Sequence, residues 1–325
     1  MERSVKALTI LFMAVTLMIA GCSTGAQESE QKEKLTVYAS VYPLADFAQK
    51  IGGDQVEVIN MVPAGVDPHD FEPTAKELAR LSESDIFLYN GAGFEGWVDK
   101  AKGIVNQEQT EVVDLSQHVD LIAVDEHDEH GHDDEEHADE ADHDDGHDHG
   151  DTDPHVWLDP NRAKQQAEAI RDVLIKKDPD HQSTYEENYK ALESRFDELD
   201  AKFEEVVKSG KKDTIVVSHD AFSYLADRYG FKQVAISGLS PSAEPSAKKM
   251  KEIVDTAKEQ KVDYIFFETL VSGKVAEAVK NEVGAEALVL NPLEGLTKKQ
   301  EQDGEDYFSL MEANADNLAK ALEAE

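Results

Sequence analysis

The sequence predicts an α/β protein: two parallel-sheet (β/α)4 lobes joined by a long rigid backbone helix, with a metal site in the interlobe cleft. Three observations lead there. Strand-like runs alternate with helical stretches in both halves of the chain, a rhythm that produces parallel sheets. An unbroken apolar stripe at helical spacing lies between the halves. Isolated histidines and a glutamate follow predicted strands, where open α/β sheets gather their ligands.

In the first half, strands are read at Leu35 to Ser40, Val56 to Val62, Ile86 to Asn90 and Glu111 to Asp114, with helices near Pro43 to Ile51, Ala75 to Leu81 and Gly96 to Ile104. Thr74 followed by Glu77 forms a capping box at the second of these helices. The second half repeats the pattern. Its strands are Thr214 to Ser218, Gln233 to Ile236, Tyr264 to Phe267 and Ala287 to Leu290, and its helices lie near Phe222 to Tyr229, Ser246 to Gln260, Lys274 to Val283 and Glu305 to Glu323. Between the lobes, Tyr185, Tyr189, Leu192, Phe196, Leu199, Phe203 and Val206 alternate steps of four and three, marking one face of a helix that starts near Pro179 and stops at Gly210. Such a stripe is expected to be buried against both lobes, and a single helix resists a wide hinge because bending it breaks backbone hydrogen bonds.

The N-terminus carries Arg3 and Lys6, a largely apolar run from Ala7 to Ala20, and Ile19-Ala20-Gly21-Cys22. The run is shorter than the roughly 20 residues of a membrane span and has the form of a secretory signal with a lipoprotein cleavage box. The expected organisation is a signal peptide over 1–21, a lipidated flexible tether over 22–34, an N-terminal lobe over 35–159, a helical region with the linking helix over 160–210, and a C-terminal lobe over 211–325. Cys22 is the one cysteine of the chain. No disulfide can form within it, and its thiol is the expected lipidation site, anchoring the protein to the outer face of the cell membrane, as on a Gram-positive surface.

The net charge is -37, from 69 acidic and 32 basic residues. That excludes nucleic acid as a partner, since phosphate binding needs a basic surface, and it makes cations the natural clients. Inside the first lobe, residues 125–151 hold His127, His130, His132, His137, His143, His147 and His149 among 15 Asp and Glu residues. The stretch lacks the apolar residues for a core. Its imidazoles and carboxylates suit weak, exchangeable collection of metal ions.

His69, His155 and His219 stand apart from that tract. They lie in Val66-Asp-Pro-His-Asp-Phe-Glu-Pro73, Asp153-Pro-His-Val-Trp-Leu-Asp-Pro160 and Val217-Ser-His-Asp-Ala-Phe222, and Asn291-Pro-Leu-Glu294 adds a carboxylate after a strand. A lone loop histidine is ordinarily a solvated or capping side chain, but three imidazoles and one carboxylate fill a tetrahedral Zn2+ shell. A full shell favours binding over catalysis, which keeps a position open. Asp70, Asp159 and Asp220 are candidates to orient the imidazoles from behind. A zinc hydrolase with Glu72 or Asp220 as general base is the enzymatic alternative, but the compact H-E-x-x-H arrangement is absent from the sequence. A metal buffer or adhesin working through the His-rich tract is a third reading.

These segments, together with Asn90-Gly-Ala-Gly-Phe-Glu-Gly-Trp97 and the lipobox, resemble in order and spacing the cluster A-I substrate-binding lipoproteins of bacterial ABC transporters for zinc and manganese. The resemblance spans nearly the whole chain and is strongest to the zinc-uptake branch. It implies two four-stranded α/β lobes, a metal held between them, and delivery by a monomer to an ABC permease with its ATPase. Manganese receptors of this family usually carry Glu where this chain has His219, so the resemblance implies Zn2+ ahead of Mn2+. Many relatives have Asp at the position matched to Asn291. Glu294 is the implied fourth donor, with Glu268 or a water as the alternatives.

Overall fold

The structure, a computed structural model, describes residues 34–123, 152–241 and 245–324. Four parallel strands form the first sheet: β1 (Leu35–Ala39), β2 (Val56–Asn60), β3 (Ile86–Tyr89) and β4 (Glu111–Asp114), in the order β2-β1-β3-β4. The second sheet repeats this plan with β5 (Thr214–Val217), β6 (Lys232–Ala235), β7 (Tyr264–Phe267) and β8 (Glu286–Val289), in the order β6-β5-β7-β8. The interior strands β3, Ile-Phe-Leu-Tyr, and β5, Thr-Ile-Val-Val, are buried along their whole length. Continuous apolar runs of that kind belong to parallel sheets covered on both faces.

The connections in the first lobe run through α1 (Tyr42–Gly52), α2 (Ala75–Leu81) and α3 (Val98–Ile104). Then come α4 (Pro160–Lys177) and the linking helix α5 (Gln182–Ser209), which is 28 residues long. The second lobe adds α6 (Ser223–Tyr229), α7 (Ala247–Glu259), α8 (Lys274–Val283), α9 (Lys298–Asp303) and the closing helix α10 (Tyr307–Leu322). Six of the seven residues of the α5 stripe are buried, and Val206 at its C-terminal end is partly so. Phe196 meets Phe47 of α1 at 5.3 Å between ring centroids and Phe308 of α10 at 5.0 Å, while Phe203 stacks on Tyr229 of α6. One apolar cluster therefore runs from Val37 to Leu322 through both sheets. Smaller clusters close the far side of each lobe, around Phe87 and Trp97 in the first and around Val216 and Ile265 in the second.

Strand boundaries and one helix differ from the sequence expectation, and β6 and β8 each begin one residue earlier than expected, at Lys232 and Glu286. Six strands leave their sheets one or two residues early, at Ala39, Asn60, Tyr89, Val217, Ala235 and Val289. At four of these ends one further N–H, of Ser40, Met61, Ile236 or Leu290, still donates to the neighbouring strand before the chain turns into its loop. Helix α9 is an addition, with no buried residue. Its apolar pattern is blank, and the Thr297/Gln300 capping box that starts it is its one sequence signal.

Candidate metal centre

Each of the four candidate donors is delivered by a loop whose backbone is fixed by its own neighbours. His69 sits in a 3-10 turn after β2; Pro68 presets the turn and the Asp67 carboxylate accepts from the His69 backbone N–H at 3.0 Å. His155 precedes a second 3-10 turn leading into α4, whose first turn is capped by Asp159 and begun by Pro160. The Asn90 side chain donates to the Pro154 carbonyl at 2.8 Å, tying that segment to the end of β3. His219 lies two residues past β5. Glu294 ends a loop after β8 in which Leu293 is held in the left-handed region, φ 56, a conformation that costs a side-chain-bearing residue about 1–3 kcal/mol.

Several contacts keep that loop in place. Asn314 of α10 accepts from the Asn291 N–H at 2.8 Å and donates to the Asn291 carbonyl at 2.7 Å. The Asn291 side chain accepts from the Leu293 N–H at 2.9 Å. Trp157 donates through Nε1 to the Pro292 carbonyl at 2.7 Å, and Tyr307 donates to the Trp157 carbonyl at 2.6 Å. The loop bearing the carboxylate is thus fastened both to α10 and to the segment bearing His155.

The donor atoms of His69, His155, His219 and Glu294 all lie within 4.8 Å of one another. Oε1 of Glu294 is 3.1 Å from Nε2 of His69, 3.2 Å from Nε2 of His155 and 3.4 Å from Nε2 of His219. The Nε2 atoms of His155 and His219 are 3.5 Å apart. A tetrahedral ion bonded at about 2.0–2.1 Å, as Zn2+ is by imidazole, needs donors about 3.3–3.4 Å apart. Four of the six edges, the three from Glu294 and the one between His155 and His219, lie at 3.1–3.5 Å and are close to that spacing. The side chains are sealed from solvent, and Phe94 packs edge-on to His69 at 5.0 Å and to Trp157 at 5.3 Å, forming an apolar wall.

Behind two of the imidazoles stands a carboxylate. Asp153 Oδ1 lies 2.8 Å from Nδ1 of His155, and Glu268 Oε1 lies 2.6 Å from Nδ1 of His219 while also accepting from the Ser218 hydroxyl. Such partners fix the tautomer and leave Nε2 to face a metal. Burial disfavours the charged imidazoles, but the carboxylates outweigh it: Asp153 and Glu294 hold His155 up at about 9, and Glu268 and Glu294 hold His219 up at about 10. Burial alone would raise Glu294, yet the histidines around it, His69 foremost, hold it well below the usual carboxylate range.

The carboxylates first considered as supports for the imidazoles are placed elsewhere. Asp70 is exposed, Asp159 caps α4 and pairs with Arg162 at 2.6 Å, and Asp220 bonds Ser223 and Gln233. Asp159 and Asp220 each meet a local backbone or polar demand, a common use of an Asp beside a turn. Glu268, considered as an alternative fourth donor, faces the Nδ1 side of His219, away from the Nε2 atoms. Asp153, Phe94 and Trp157 lie within the quoted motifs without a role assigned from sequence; Asp153, two residues before His155, is the one its spacing could have revealed. Cys22 and His127, His130, His132, His137, His143, His147 and His149 lie outside the described residues.

Comparison with known proteins adds a family. The family described as "ZnuA: Zinc-uptake complex component A periplasmic" matches residues 37–321. A Bacillus subtilis (strain 168) protein named "High-affinity zinc uptake system protein ZnuA" is 38% identical over 312 residues, covering 95% of each chain. "Zinc-binding lipoprotein AdcA" of Streptococcus pneumoniae (strain ATCC BAA-255 / R6) is 36% identical over 321 residues; these are 98% of this chain and 62% of AdcA, so the chain spans less than two thirds of that relative. Among solved structures, the Zn(II)-bound ZnuA-like domain of Streptococcus pneumoniae AdcA aligns with a TM-score of 0.72 at 35% identity, over 89% of this chain and 99% of that one. The metal-dependent lipoprotein YcdH of Bacillus subtilis aligns with a TM-score of 0.73 at 36% identity, over the same shares.

Proposed function

Because the chain belongs to the family of periplasmic zinc-uptake component A proteins, we propose that it is an extracytoplasmic zinc receptor, holding one Zn2+ on His69, His155, His219 and Glu294. The single observation that carries this reading is the convergence of those four buried donor atoms within 4.8 Å of one another, with Glu294 at 3.1–3.4 Å from all three imidazoles. Imidazole matches zinc better than the harder manganese ion, so three histidines favour Zn2+ over Mn2+. Four protein donors leave no coordination position for a substrate, and the family is one of solute binding, so the site captures rather than catalyses.

All four donors come from one chain, which supports a working monomer. The delivery partner is an ABC permease with its ATPase, and the anchor is a lipid on Cys22, which follows a signal-like segment. The histidines of 125–151 serve as weak collectors that raise the local ion concentration. The test is titration of the soluble chain, starting after Cys22 and lacking 125–151, with bound metal counted by mass spectrometry. One tight zinc per chain, lost in His155→Ala, is the expected result. Loss of all tight binding on removing 125–151 overturns the assignment.

A further inference from the structure

A hydroxyl from the second lobe secures the carboxylate that backs a histidine supplied from outside that lobe. Tyr224, in α6, has no solvent exposure. Its hydroxyl donates to the Asp153 carbonyl at 2.6 Å and accepts from the Ile122 N–H at 3.1 Å. The Asp153 N–H in turn donates to the Ile122 carbonyl at 3.0 Å. Ile122, Asp153 and the phenol therefore form a closed ring of hydrogen bonds, extended by the antiparallel bridge between Ala123 and Thr152. Both hydrogen-bonding roles of the phenol are used. Its ring is held from above by the Arg162 guanidinium, 4.7 Å from the centroid, and Arg162 is itself tied to the Asp120 carbonyl at 2.9 Å.

The side chain of Asp153 points the other way. Its Oδ1 accepts from the His155 backbone N–H at 2.9 Å and lies 2.8 Å from the ring Nδ1. The direction in which His155 Nε2 points is set by this carboxylate, and the position of the carboxylate is set by the backbone on which Tyr224 closes. Tyr224 does not belong to the group of four donors.

We propose that Tyr224 is a positioning residue for the metal site, acting through Asp153 to hold His155 with Nδ1 protonated and Nε2 aimed at the shared point. This rests on the zinc-site reading above. It makes the second lobe a determinant of a donor it does not carry, so the site is assembled correctly only when α6 is docked against the junctions at Ile122 and Asp153.

The experiment is a competition titration with Zn2+ on the full soluble chain, joined to 15N NMR of the His155 ring. Tyr224→Phe keeps the ring and its contact with Arg162 and removes only the hydroxyl. We expect the zinc Kd to rise about 10-fold, at the lower end of the roughly 10- to 100-fold loss typical when a ligand's outer partner is removed. Asp153→Asn is expected to lose at least as much, and the double variant no more than Asp153→Asn alone, because both act along one route. The zinc-loaded Tyr224→Phe chain should also broaden or lose the His155 Nδ1–H resonance, which a general loss of stability does not select. An unchanged Kd in Tyr224→Phe, or losses that multiply in the double variant, overturns the proposal. His155→Ala separates the two levels. If it keeps tight zinc, the metal-site reading falls; if it loses zinc while Tyr224→Phe binds like the parent, only the role of Tyr224 falls.

Discussion

At the level of single residues, protons and a metal ion compete for the same four atoms. His155 and His219 are held at about 9 and about 10 by carboxylates on both sides of each ring, so near neutral pH both carry a proton that zinc must displace. The sign follows: binding releases protons, and affinity rises with pH until those two values are passed. With one proton from each ring, the zinc Kd should fall about 100-fold per pH unit between pH 6 and 8, a tenfold factor for each proton released. Calorimetry at pH 7.5 in two buffers of different ionisation enthalpy measures this directly, and a proton count near zero would mean that the rings are already neutral. The identity of the third histidine sets a second expectation. His219→Glu exchanges a borderline nitrogen for a hard oxygen donor beside Glu268 and Glu294, adding negative charge to the site. Zinc affinity should drop, and selectivity shift toward Mn2+, in a competition between the two ions; undiminished zinc preference would show that His219 does not set the choice.

Among the elements, the two lobes solve the same problem with the same parts. Ser40, one residue past β1, donates to buried Glu95, and Ser218, one residue past β5, donates to Glu268, whose side chain is shielded from solvent. In the first lobe the glutamate spends its remaining capacity on the Asn90 and Gly91 N–H groups of its own loop. In the second it faces His219. The serine position is shared between the lobes, but the glutamate it reaches serves loop architecture in one and ligand orientation in the other. The loop of Glu294 depends on α10 in a similar way: Asn314→Ala strips the Asn291 N–H and carbonyl of their partners. At about 1–3 kcal/mol for a buried group left unpaired, it should destabilise the chain by about 2 kcal/mol in urea titration and weaken zinc binding alongside; a change in stability below the measurement error would show that the loop holds itself. The alternation of strands and helices, the α5 stripe and the four donor segments were legible because each is a local pattern: period, cap, or a His or Glu in a Pro- or acid-framed segment. The carboxylates behind the rings were not all legible in this way. Asp70 and Asp220 adjoin histidines in sequence yet face elsewhere, whereas Glu268 lies 49 positions from His219 and meets it only through the pairing of β5 with β7.

Across the whole molecule, the architecture has two sheets, but its main apolar core is shared. The cluster running from Val37 to Leu322 draws on β1, α1, α4, α5, β5, α6 and α10. Polar contacts reinforce it where the lobes meet: Arg228 of α6 reaches Asp200 of α5 at 2.8 Å and Asp159, at the start of α4, at 3.4 Å. Neither sheet can lose its inner face to solvent without uncovering part of the other's support, so the lobes should unfold together instead of as two domains. The two tryptophans allow a test, because Trp97 packs in the outer cluster of the first lobe and Trp157 lies against the His155 segment. Their fluorescence reports on the first lobe and its junction, whereas far-ultraviolet circular dichroism reports on every helix. The two denaturation curves of the zinc-free chain should coincide, and Phe196→Ala, which opens the shared core beside Phe47, Tyr307 and Phe308, should shift both by the same about 3–5 kcal/mol. Curves that separate, or a Phe196→Ala shift confined to one probe, would show that each lobe folds on its own core and that α5 is a connector rather than a common wall.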